Sequence, residues 1–166
     1  MREKADELAR WVAVEAVRNA EVRLAAQAAS LLALEARAMA IIGWASVVVA
    51  AGIAAYLTPA LAPHMRYGAI VLATGFMAAI LMAMRVLAPR TGWGVPGIEP
   101  EAVLRAPGPS VAHAAAWIAG GYEGLVATNS ARLNEAGRRI NAALRLIVGA
   151  FFAAAAVIAA LGAAQT

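Results

Sequence analysis

The sequence predicts an all-α integral membrane protein with three transmembrane helices and long cytoplasmic helical extensions. Composition is the first observation behind this. Residues of the AVILMFWYC set fill 63% of the 166 positions, and mean hydropathy is +0.71. Soluble domains run at roughly 45–50% even when glycine is counted. A water-soluble core of this size cannot hide so much apolar side chain. The second observation is the spacing of charge, which leaves three stretches of bilayer-spanning length uninterrupted. Alanine supplies more than a quarter of the residues, which suits close helix packing but is also what a GC-rich genome writes.

The elements follow in order. Residues 1–37 alternate charge and apolarity without proline or glycine, the pattern of one long amphipathic helix. Ala13, Val17, Ala20, Leu24, Ala28 and Leu31 form a stripe at three- and four-residue spacing. On the solvated side Arg2 with Asp6, Glu7 with Arg10, and Glu15 with Arg18 are placed to pair across turns. The stripe suits packing on neighbouring helices or, alternatively, a coiled-coil seam between subunits. A charge-free run over 38–58 matches the roughly 20 residues that cross a hydrocarbon core. A second run covers 67–87 if Arg85 reaches to the interface. Between them Pro59 and Pro63 mark a tight turn extending to Arg66, which makes the two spans an antiparallel hairpin.

Residues 89–110 are rich in proline and glycine and read as an irregular loop, with one helical turn across Glu101 to Leu104. Trp93 is placed near the headgroups. Ser110 caps a cytoplasmic helix over 111–145, which feeds a third span at 146–164. Small residues at four-residue spacing, Ser46, Ala50 and Ala54 in the first span and a weaker version, Gly149, Ala153 and Val157, in the third, favour a compact bundle or a homo-oligomer.

Orientation follows from the basic residues. Thirteen of the fourteen lysines and arginines precede the first span or lie between the second and third; only Arg66 stands in the short turn. The positive-inside rule then puts the amino terminus and residues 89–145 in the cytoplasm and the carboxyl terminus outside. The first apolar run begins almost forty residues in, so no signal peptide is expected and the amino terminus is retained.

The net charge of +4 does not point to nucleic acid, because the charges flank apolar segments instead of lining a groove with stacking aromatics. Cysteine is absent, which removes disulfides, thiolate metal sites and cysteine nucleophiles. His64 and His113 each stand alone, without a partner at metal-ligand spacing. Phosphate-binding and nucleophile-elbow motifs are missing, and none of the ten carboxylates falls in a span. Neither an enzyme nor a bound cofactor or metal is expected.

One face of the last cytoplasmic helix carries chemistry. Tyr122, Asn129 and Arg132 are spaced by seven and then three, with Arg138 beyond them. Such a face recognises a polar ligand through arginine on phosphate, asparagine on a base or ribose, and tyrosine stacking. The same residues also suit a plain solvated helix whose arginines mark the membrane boundary.

The order of elements, together with Tyr122, Asn129, Leu133 and Arg138 in the run 121–146, resembles the small transmembrane effectors of bacterial antiphage signalling, of the Pycsar type and the related SLATT proteins. The resemblance implies a homo-oligomer in the bacterial inner membrane that senses a cyclic nucleotide and impairs that membrane, arresting growth. It implies a place for Tyr122, Asn129, Arg132 and Arg138 near the ligand or in the coupling region. One departure is the segment 111–119, almost wholly apolar where the family keeps a polar module. Two other functions share the same plan: a non-catalytic membrane scaffold or regulator of a partner complex, and a phage lysis or exclusion protein.

Overall fold

A computed structural model describes residues 2–88, 92–95, 97 and 110–164. The expected helical turn at Glu101 to Leu104 lies outside them. The described residues form three α-helices and no strand: α1 (Arg2–Leu57), α2 (Pro63–Leu87) and α3 (Val111–Ala163). All three are long and apolar enough to cross a membrane. Only 22, 33 and 17% of the residues in their most apolar windows are buried within the protein. Phe152, for example, is 73% exposed. Apolar faces this bare are stable in hydrocarbon and costly in water.

The chain divides into two compact units, Met1–Leu32 with Arg90–Asn134, and Ala33–Pro89 with Glu135–Thr166. In the first unit the amphipathic stripe of α1 is used as its spacing predicts. Ala13, Ala20 and Leu24 are buried, and Val17, Ala28 and Leu31 are half-buried. Ala20 and Leu24 pack with Tyr122 and Val126 of α3, with Val17 and Ile118 at the edge. The chain's own α3 therefore covers the middle of the stripe, from Val17 to Leu24. Of the expected surface pairs, Arg18 and Glu15 meet at 3.8 Å, and the side chain of Arg2 lies outside the described ones. Ser110 caps α3 as expected, its Oγ accepting from the His113 N–H at 3.4 Å.

The second unit is a three-helix core. Phe76 of α2 is fully buried between Trp44 of α1 and Phe151 of α3, with ring centroids 5.1 and 5.4 Å away. Around it lie Ala45, Val49, Ala79, Ile80, Ala143 and Ile147. Small residues set the spacing. A Cβ on Gly75 would stand 2.3 Å from that of Ala150, so α2 and α3 approach only because Gly75 has none. Ser46, Ala50 and Ala54 of α1 and Gly149 and Ala153 of α3, the small residues expected to favour a compact bundle or a homo-oligomer, are exposed in the single chain.

The turn between α1 and α2 is shorter than its two prolines predict. Pro63 opens α2 instead of lying before it. A first-turn N–H has no intrahelical partner to lose, and the fixed φ of proline suits the helix start. Arg66 is thus already helical, and its Nε donates to the Tyr56 carbonyl at 2.7 Å while its guanidinium lies over the Tyr56 ring. That bond takes up one of the free carbonyls at the end of α1.

Candidate functional site

Tyr122, Asn129 and Arg132 lie in the first unit, on α3, and Arg138 lies in the second. The three in the first unit share their surroundings with the loop residues 92–95 and 97. Asn129 is fully buried. Its Nδ2 donates to the Gly94 carbonyl at 2.8 Å, and its Oδ1 accepts from the Gly94 N–H at 3.1 Å. One side-chain amide thereby satisfies both backbone groups of one buried loop residue. Only glycine fits at 94, because a Cβ there would stand 2.8 Å from the Cβ of Leu125. Gly92 and Gly97, at φ +70° and +114°, supply the left-handed backbone that turns the loop on either side.

Tyr122 is 4% exposed, and its hydroxyl donates to Glu21 Oε1 of α1 at 3.3 Å. Burial pushes the phenol above its ordinary value of 10.0; the charge of Glu21 and its hydrogen bond add to this, and the Gly97 backbone opposes it.

Arg132 is half-buried. Its Nη1 is shielded from solvent and has no hydrogen-bond partner among the described residues, while its Nη2 stands 3.6 Å from where a Cβ on Gly92 would be. A buried guanidinium N–H without an acceptor costs desolvation energy, and an anionic oxygen is the group that relieves it best.

Sequence reasoning did not single out Gln27. Its Nε2 donates to the Val126 carbonyl at 3.0 Å and to Ser130 Oγ at 2.8 Å. The carbonyl contact fixes which end of the amide is nitrogen, and leaves Oε1 buried without a donor among the described residues. The available signal was a glutamine between Leu24 and Leu31 on an otherwise apolar stripe, the kind of polar seam residue that sets register.

In the second unit Arg138 donates through Nε and Nη2 to Glu135 Oε2, and Arg139 Nε donates to Glu135 Oε1 at 3.0 Å. The hydrogen bond from Arg138, then that from Arg139, hold the Glu135 carboxyl below its usual range. Arg139 also donates to the Arg85 carbonyl at 2.8 Å, capping the last turn of α2. His113 engages Ser110 Oγ through Nδ1 at 3.2 Å. No group of three metal-capable side chains occurs among the described residues.

Comparison with protein-family models, curated proteins and solved structures gives no match to this chain.

Proposed function

We propose that the chain is a membrane-perturbing effector gated by an anionic ligand of the cyclic-nucleotide class, acting in antiphage defence as a homo-oligomer in the bacterial inner membrane. The observation that carries this reading is the buried Nη1 of Arg132 beside Gly92, which has no partner among the described residues. A phosphate oxygen supplies the missing acceptor, and guanidinium suits phosphate geometry. Two further features support it. The described loop residues beside Arg132 are tied to the same helix face by the two Gly94–Asn129 hydrogen bonds, so a ligand on Arg132 and the loop act on one another directly. α3 carries Tyr122, Asn129 and Arg132 in the same unbroken helix as the third apolar segment, which gives a change in packing around Arg132 a path toward the bilayer. The ligand must bind one packing better than the other, since equal affinity shifts nothing. The basic bias favours the cytoplasm for residues 1–37 and 89–145, where such a ligand is made.

A second reading, a non-catalytic scaffold for a partner complex, is favoured by a different observation: Asn129 and Tyr122 already spend their polar groups within the chain.

The deciding experiment is dye leakage from liposomes carrying the purified protein, with and without a panel of cyclic nucleotides. The effector reading expects leakage with at least one nucleotide, loss of it in Arg132→Ala, and retention in Arg18→Ala. Silence across the panel, with insertion verified, overturns the reading in favour of the scaffold.

A further inference from the structure

An open groove of about 840 Å³ runs between α2 and α3 in the second unit. Its walls change character along its length. Arg138, Asn141 and Arg145 line one end; Leu146, Gly149, Ala150 and Ala153 of α3, with Val71 and Gly75 of α2, line the rest. The polar residues lie three and four apart and so share one face of α3.

Charge at the polar end is unbalanced. Arg138 and Arg145 line it, and Glu135, which Arg138 and Arg139 both engage, is the acidic group bonded to them among the described residues. Arg138 is engaged by Glu135, whereas Arg145 forms no ion pair among the described residues and is exposed. The apolar part from Arg145 to Ala153 rises about 12 Å along the helix, just within the roughly 15 Å of one hydrocarbon leaflet.

We propose that this groove binds one anionic glycerophospholipid, its phosphodiester held by Arg145 and Arg138 with Asn141, and one acyl chain lying along Gly149 and Ala153. The proposal stands independently of the gating reading above. An apolar floor of leaflet depth under a cationic rim is complementary to that molecule at both ends, and basic recesses between membrane helices hold acidic headgroups elsewhere. A second copy of the chain fits worse. Subunits in a membrane share their orientation, so a face-to-face pair at this groove brings Arg138 and Arg145 to the same depth as their counterparts, where like charges repel.

The test uses the full chain in mixed micelles, with bound lipid counted by native mass spectrometry as dioleoyl phosphatidylglycerol and dioleoyl phosphatidylcholine compete. One phosphatidylglycerol retained per chain in preference to phosphatidylcholine is the expected result. Arg145→Gln weakens that preference about 5-fold, and adding Arg138→Gln weakens it about as much again. Gly149→Leu fills the groove and abolishes retention. A Cβ there meets no atom within 4 Å, so the substitution has no clash at its base, and helical circular dichroism checks that the variant folds. Equal retention of the two lipids overturns the proposal, as does phosphatidylglycerol that survives Gly149→Leu. A dimer that excludes lipid and is lost in Gly149→Leu assigns the groove to a second copy and likewise overturns it.

Discussion

Asn129 shows how much one side chain carries at the residue scale. Asn129→Ala leaves the N–H and C=O of buried Gly94 without partners, and each such orphan costs on the order of 1–3 kcal/mol. Equilibrium unfolding in mixed micelles, followed by tryptophan fluorescence, is expected to show a loss of about 2–4 kcal/mol. Asn129→Asp keeps the acceptor but loses the donor, so it too is destabilising. Tyr122 gives a pH signature. Its phenol titrates higher in the folded chain than in the unfolded one, so its contribution is fully present below the unfolded value and is lost as pH rises through the folded value. Stability therefore declines above pH 10, and unfolding titrations of Tyr122→Phe should lack that part of the decline. Sequence spacing brought Tyr122, Asn129 and Arg132 to one face of a helix. It could not reveal that Asn129 bonds Gly94, since that partner is 35 residues away and is reached only through tertiary packing.

At the scale of elements, the helices were legible because their signals are local. The stripe from Ala13 to Leu31, the two prolines, and the cap at Ser110 each act within a turn or two. Crossing points were not legible, because an alanine-rich chain offers small residues on every face. The exposed Ser46, Ala50 and Ala54 share their four-residue spacing with Gly75, Ala79 and Ala83, of which Gly75 meets Ala150 and the other two are fully buried, so the spacing alone does not say which face packs. Gly75→Val is accordingly expected to push α2 from α3 and cost about 1–3 kcal/mol. Gly43→Ala, where an added Cβ meets nothing, should gain up to about 1 kcal/mol in helix propensity. Thermal unfolding of the two variants by circular dichroism, measured side by side, checks the contrast.

For the whole molecule, the governing feature is that α1 and α3 each carry a charge-bearing stretch and an apolar stretch without interruption. Hydropathy reads that change as a boundary at Arg37 and at Arg145, but the backbone hydrogen bonds of a helix are indifferent to whether water or lipid surrounds them. Topology is directly measurable because the sequence has no cysteine to mask. Arg10→Cys and Ala60→Cys, labelled with a membrane-impermeant maleimide on intact cells, are expected to differ. Ala60→Cys in the short turn reacts, and Arg10→Cys reacts only after the membrane is opened.

The pairing of Gly94 with Asn129 also makes a clock. Loop amides ordinarily trade their protons with water quickly, yet the Gly94 N–H is buried and bonded to a side chain that sits on a long helix. Its exchange rate therefore counts the openings of this loop alone, separately from the unfolding of either helix. Any ligand that lifts the loop will quicken that single amide, and any that clamps it will slow it, before a membrane readout is attempted.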